Sequence, residues 1–314
     1  MSLAPSVAAS RTGFNPLPLI IALFCVLWSF SFVAGKIGVT DCPPLILLTA
    51  RFSLAGILIL GITMLRGEAW SSLTWRDAAV FAILGVANNV LFLGLAYIGL
   101  KTVSAGLGGL IVSANPVFTA ALAALFLGEA LTWRKVTGLV LGMSGVGFIV
   151  WHRMLVGTDS LHGILFLLVS LASLVVGTIL FKVLAPKGSL WVGNGVQNLV
   201  AGIVLLPIAF TVSDVGDIVP SMRLLGALAF LVLGGSILAY VLWFHLLKVC
   251  GATAASAYHF LMPPLGMLFA FLVLGEHVEF RDLLGIVPVA LGIYLVTRPA
   301  AAPSQLDPLR ACID

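Results

Sequence analysis

The sequence predicts an all-α polytopic membrane protein of about ten transmembrane helices, arranged as two inverted five-helix repeats. Three observations carry that expectation: a composition that cannot face water, a succession of apolar runs of bilayer length, and a chain that repeats itself. Of the 314 residues, 61% are hydrophobic and only 9% are charged, and the mean hydropathy is +1.18. A soluble domain carries roughly 25% charged residues. Helices of this composition are apolar on every side, so their solvent is lipid. The net charge of +4 forms no basic patch interleaved with aromatics, which argues against nucleic acid as a partner. The expected partners are the bilayer and a small-molecule substrate; a monomer is compatible with the sequence, which does not fix the oligomeric state. Cys25, Cys42, Cys250 and Cys312 lie far apart, with neither metal-ligand nor disulfide spacing, and no cofactor motif is present.

Residues 1–15 read as a disordered arm. The first apolar run, 17–35, is longer than the roughly 7–15 residues of a signal-peptide core, so it reads as the first span. The runs that follow are 44–65, 78–98, 103–127, 133–151, 161–181, 190–211, 223–246, 252–274 and 281–297. At 1.5 Å per residue, a helix needs roughly 20 residues to cross a 30 Å core. The runs do not alternate polar and apolar, and only helices and closed barrels satisfy their backbone in lipid, so helices are expected. Pro43-Pro44, Gly128-Glu129, Pro186-Lys187-Gly188 and Glu276-His277 punctuate them. The chain thus divides into a first unit, 16–152, a second, 160–298, and a disordered tail, 299–314.

With a cytoplasmic N-terminus, ten basic residues fall in inside segments (Arg11, Arg66, Arg76, Arg134, Lys135, Lys182, Lys187, Lys248, Arg298, Arg310) and five outside (Lys36, Lys101, Arg153, Arg223, Arg281). That excess predicts a multi-pass protein of the cytoplasmic (inner) membrane with both termini inside.

The repeat shows at a shift of 147, the separation of Pro116 and Pro263. Without a gap, Leu100-Lys101 falls on Leu247-Lys248, Leu127-Gly128-Glu129 on Leu274-Gly275-Glu276, Arg134 on Arg281, Gly138 on Gly285 and Gly145 on Gly292. Leu and Ala match by chance in apolar chains; Lys, Glu, Arg and Pro in register do not. With five spans each, the second copy must sit upside down, the arrangement of alternating-access transporters whose site lies near the midplane between halves.

Trp28-Ser29-Phe30-Ser31-Phe32-Val33-Ala34-Gly35-Lys36, Arg51 in the second span, and the Pro-to-Gly-Glu stretch 116–129 repeated at 263–276 resemble the EamA family of drug/metabolite transporters. The resemblance covers nearly the whole chain as two units and comes nearest to the YddG-type amino-acid exporters. It implies ten helices, both termini inside, and substrates that include aromatic amino acids.

Polar residues within the spans are the candidates for function. Asn89, Leu93 and Tyr97 repeat as Ser236, Tyr240 and Phe244; spacing of four puts each trio on one helix face. Asn88 and Trp243 flank them, Trp28 and Ser31 share a face of the first helix, and Asn115, His259 and Met262 lie near Pro116 and Pro263. Together Trp28, Ser31, Asn88, Asn89, Asn115, Tyr240, Trp243, His259 and Met262 suggest a cavity that stacks flat apolar groups and bonds a polar end. Arg51, whose repeat partner is Gln197, is read as structural, with a substrate carboxylate as its functional alternative. Pro116 and Pro263 mark bends, and Glu129 and Glu276 are expected to cap the fifth and tenth helices that they open. Phosphate and nucleotide-sugar carriers need several cations, and only Arg51 is available at depth. His259 is the one candidate that titrates near neutral pH. The expected function is export of amino acids or related amphipathic metabolites by a non-enzyme. The alternatives are a multidrug or cationic-drug exporter and, from Gly142-Met143-Ser144-Gly145, a rhomboid-like protease.

Overall fold

A computed structural model describes residues 16–67, 73–103, 108, 111–156, 160–275 and 280–297. The expected arm, tail and Glu276 lie outside the described residues. The described residues form helices α1 (Leu17–Asp41), α2 (Pro44–Leu65), α3 (Trp75–Leu100), α4 (Asn115–Leu127), α5 (Trp133–Val156), α6 (Leu161–Leu184), α7 (Leu190–Val212), α8 (Met222–Cys250), α9 (Ala252–Leu274) and α10 (Phe280–Thr297). Seven of them (α1–α3 and α6–α9) are long and apolar enough to cross a membrane. Leu58, Ile62, Val169, Ile203, Phe210 and Leu272 are among the large apolar side chains left exposed. Such an outer surface is stable only against lipid.

Local chemistry sets the helix ends. Pro44 opens α2, where its missing N–H costs nothing. The Thr74 hydroxyl caps α3 by accepting from Asp77 N–H, and Ser221, its repeat counterpart, caps α8 by accepting from Leu224 N–H. Gly128 (φ +66°) and Gly275 (φ +68°) end α4 and α9 in the left-handed conformation, which explains a glycine ahead of each repeated Glu. Lys36 Nζ donates to the carbonyls of Leu100 (2.8 Å) and Val103 (3.0 Å). Lys182, at the matching place in the second unit, donates to Leu247 (3.2 Å). Each first helix therefore tethers the orphan carbonyls of its own third helix.

One departure from regular helix was not foreseen, and another falls beside the prolines where bends were expected. Val86–Leu93 in α3 and Leu231–Ala239 in α8 are π segments, with hydrogen bonds running to i+5. The α9 span, expected as one run, breaks into a short helix, a tight 3₁₀ turn at Tyr258–Leu261 and a second helix starting one residue before Pro263. In the first unit the 103–127 run is likewise interrupted, by a turn at Ser113 and Ala114 that separates helical Ile111 and Val112 from the helix starting at Asn115, one residue before Pro116. The proline ring forbids a continuous ladder, so each interruption precedes it. The first span also runs past Gly35 to Asp41.

Packing follows the small residues. α2 with α7 and α5 with α10 make the most extensive contacts. A Cβ on Gly56 would meet Leu199 N at 2.7 Å, and one on Gly138 would meet Gly292 O at 2.7 Å. Backbones touch there because no side chain intervenes. α1 packs mainly on α8 and α9, whereas α6 packs on α3 and α4. The first helix of each unit thus lies against the other unit.

Candidate functional site

Between the two units lies a cavity of about 330 Å³, its opening included, lined by Trp28, Ser31, Phe32, Arg51, Phe92, Leu93, Tyr97, Gly235 and Tyr240. Its walls are aromatic and aliphatic, and Arg51 is the one charged residue in them. Arg51, 2% exposed, donates from Nε to Ser236 Oγ (2.7 Å) and from Nη1 to the Tyr97 hydroxyl (2.9 Å). Its guanidinium carbon lies 5.4 Å from the Phe52 ring centre and 5.9 Å from that of Tyr97. Among the described residues it has no carboxylate partner. A buried cation compensated only by hydroxyls and ring faces keeps much of its desolvation cost.

The π segments build this site. A wide turn leaves carbonyls without their usual i+4 donor, and side chains from neighbouring helices take them up. Ser173 Oγ donates to Ala87 O (2.8 Å), and the Tyr240 hydroxyl donates to Asn88 O (3.1 Å). Asn194 Nδ2 donates to Ser236 O (2.8 Å) and Ile237 O (3.2 Å). Ser236 therefore meets Asn194 through its carbonyl and Arg51 through its hydroxyl, joining α2, α7 and α8 at one depth.

Of the residues singled out from sequence, Trp28, Ser31 and Tyr240 line the cavity. Trp243 and His259 stand behind Trp28 in an aromatic cluster: ring centres lie 6.0 Å from Trp28 to Trp243, 5.5 Å from Trp28 to His259 and 4.8 Å from Trp243 to His259. His259 Nδ1 lies 3.1 Å from Ser256 O. A carbonyl only accepts, so Nδ1 carries the hydrogen and Nε2 the lone pair. Asn88, Asn89, Asn115 and Met262 are buried but absent from the cavity wall. The four-residue spacing that grouped Asn89 with Leu93 and Tyr97 does not hold through a π segment, so only Leu93 and Tyr97 reach the wall. Asn88 instead points at α6, where its Oδ1 would collide with a Cβ on Gly177. Asn115 Oδ1 accepts from Thr119 Oγ1 (2.9 Å). Arg51, expected to be structural, lines the cavity, as does Tyr97, which shares its four-residue spacing with Asn89 and Leu93. The polar α7 residue Asn194, inside an apolar run, was the overlooked signal.

Ser144 is exposed, donates its hydroxyl to Leu141 O (2.9 Å) and lines an apolar groove with Val117, Leu139 and Met143. Among the described residues no histidine lines that groove, and its surroundings are those of a packing helix facing lipid.

Polar contacts join the units near both ends of the helices. At one, Asp41 accepts from Ser221 Oγ (2.5 Å) and Arg223 (2.9 Å). At the other, Asp77 accepts from Thr74 Oγ1 (2.7 Å) and Lys187 N–H (3.2 Å). The partners are related by the repeat, with acid and base exchanged. Glu129 also lies at this second end, and its role corrects the expectation. It caps α9 rather than α5: its two carboxylate oxygens accept from Ala252 N–H (2.9 Å) and Thr253 N–H (3.2 Å). Burial pushes its pKa up, but the hydrogen bonds at Thr253 and Ala252, with the charge of Lys135, outweigh it and hold the carboxyl below its ordinary value. A lowered folded-state pKa gives stability that is complete above the unfolded value, about 4.3, and is lost as pH falls through the folded one. At neutral pH, Glu129→Gln should therefore cost about 0.3–1 kcal/mol. A lower midpoint of thermal unfolding in detergent with unchanged substrate selectivity is expected; altered selectivity would contradict a capping role.

The model of the EamA-like transporter family matches residues 17–151 and 161–298. An uncharacterized transporter of Archaeoglobus fulgidus is 28% identical over 283 residues, 89% of this chain and 98% of that protein. The uncharacterized inner membrane transporter YedA of Escherichia coli K12 is 26% identical over 305 residues, 93% of this chain and 97% of its own length. A solved structure described only as a protein superposes with a TM-score of 0.73 at 18% identity, covering 89% of this chain and 95% of that one.

Proposed function

We propose that this chain, which belongs to the EamA-like transporter family, exports amino acids, aromatic and hydrophobic ones included, or related amphipathic metabolites. Its ten helices act as two inverted five-helix repeats, and the substrate crosses by alternating access through the cavity between them. The observation that carries this reading is the composition of the cavity wall. The first unit contributes Trp28, Ser31, Arg51 and Tyr97, and the second contributes Gly235 and Tyr240. A site shared by two halves changes shape when they rock against each other, and it then opens to one face at a time. Flat rings with a few polar groups suit an amphipathic solute. A cationic drug would need an acid at this depth, where Arg51 stands instead. The protein would sit in the cytoplasmic membrane with both termini inside, as its basic residues suggest.

Uptake of labelled Phe, Trp, Thr and Gly by liposomes holding the purified protein tests this directly. Faster entry of the aromatic pair than in empty liposomes is expected; no uptake of any would overturn the reading. The topology has its own test. Single cysteines placed beside Glu129 and in the loop 276–279 should react with impermeant reagent from opposite sides of the membrane. Reaction of both from one side would sink the inverted arrangement.

A further inference from the structure

The cavity holds one polar atom whose partner is missing. Arg51 spends Nε on Ser236 and Nη1 on Tyr97, while Nη2 makes no hydrogen bond among the described residues. Nη2 and Ser31 Oγ both pack close over Gly235: a Cβ built there would meet them at 2.8 Å and 3.1 Å. Both groups line the cavity, and they sit together there because residue 235 has no side chain to displace them. Gly235 sits in the π segment of α8 with a helical backbone, so left-handed geometry does not demand the glycine.

Resting on the transport reading above, we propose that Arg51 Nη2 and Ser31 Oγ, where they face the cavity beside Gly235, bind the carboxylate of the substrate, making a carboxylate with an apolar body the substrate class. One carboxylate oxygen takes the Nη2 hydrogen. The other is reached by Ser31, whose hydroxyl donates to Leu27 O at 2.8 Å and is free to rotate toward the anion. The carboxylate supplies the negative charge that Arg51 otherwise lacks, and a charge-assisted bond in a water-poor site is among the stronger single contacts available. The apolar body lies against Phe32, Phe92, Trp28 and Tyr240. An ammonium group, where present, is left to the ring faces, so it is dispensable, whereas the carboxylate is not.

The test compares ligands that differ only at the two ends: phenylalanine, 3-phenylpropionate, phenylalaninamide and phenethylamine. Each competes against labelled phenylalanine for the purified full-length protein in detergent. In the wild type, phenylalanine and phenylpropionate should compete, with the amide and the amine weaker by roughly 10- to 100-fold. Gly235→Ala should abolish that preference by displacing both groups, and Ser31→Ala should reduce it only a few-fold. Arg51→Gln should bring acid and amide to parity. Should Gly235→Ala or Arg51→Gln fail to fold, the ligand series on the wild type still decides. Equal competition by phenylalanine and its amide overturns the carboxylate assignment while leaving transport intact. A wild type that binds and carries no amino acid overturns the transport reading, and the assignment with it. Full acid preference in a well-folded Gly235→Ala would also refute the assignment.

Discussion

Joining Asp41→Cys to Ser221→Cys with a short reducible cross-linker is expected to stop transport completely and to restore it on reduction. The two side chains already touch where α1 ends and α8 begins, so a short reagent spans them. Native cysteines must first be replaced, since Cys42 adjoins the site. The natural contact is weak enough to cycle. Arg223 is 70% exposed in its contact with Asp41, and ion pairs of that kind are worth about 0–1 kcal/mol. A covalent bridge cannot be broken by thermal motion, so the units stay joined there and the cycle halts. Asp77→Cys with Lys187→Cys should act alike at the opposite end, where Asp77 meets the Lys187 backbone. Activity that survives a verified bridge at either end would mean that solute passes through a continuous pore. Glutamate or lysine reversals would be a poorer test, because water can stand in for a broken surface ion pair.

Gly56→Leu is expected to remove most folded protein from the membrane, whereas Gly61→Leu, on the same helix, leaves it intact. The contrast lies in what a side chain would meet. At Gly56 a Cβ comes within 2.7 Å of Leu199 N and 2.8 Å of its Cα, while at Gly61 nothing lies within 4 Å. Backbone cannot step aside as a flexible side chain can, so α2 and α7 must separate along their shared contact. Overpacking of this kind costs typically 1–3 kcal/mol for a few added methylenes, and Leu brings a whole side chain into direct conflict. Fluorescence-detected size-exclusion profiles of the two variants would show it: a collapsed monodisperse peak for Gly56→Leu and a normal one for Gly61→Leu. Equal peaks would mean that the close approach of these helices is dispensable.

The helices were legible because lipid imposes one simple rule on sequence, and α2 begins and ends where its apolar run does. The repeat can be read from sequence because Lys, Glu and Pro in register are rare by chance. The π segments cannot. Val86–Leu93 has the composition of an ordinary helix, and what stabilises its wide turn is Ser173, more than 80 positions away in sequence. The role of Glu129 was hidden for the same reason: an acid just ahead of α5 reads as that helix's cap, and its true partner lies 123 residues on. Trp28 and Tyr240 could be found because large aromatics at matched depths suggest a lined space. Gly235 could not, because a glycine that makes room for neighbouring polar groups looks in sequence like one that lets helices touch.

The placement of α1 has a consequence for how the chain is made. Its main partners are α8 and α9, which end at Leu274, so α1 enters the bilayer long before the surface that will cover it exists. At 5–20 residues per second the wait is roughly ten to fifty seconds. α6, by contrast, emerges to find α3 and α4 already in place. The two equivalent helices therefore have different histories: one docks at once, and the other drifts in lipid, held only by short-range contacts such as Lys36 on Leu100, until synthesis is nearly done. The cavity wall that Trp28 forms with Tyr240 is consequently among the last parts of the protein to be assembled.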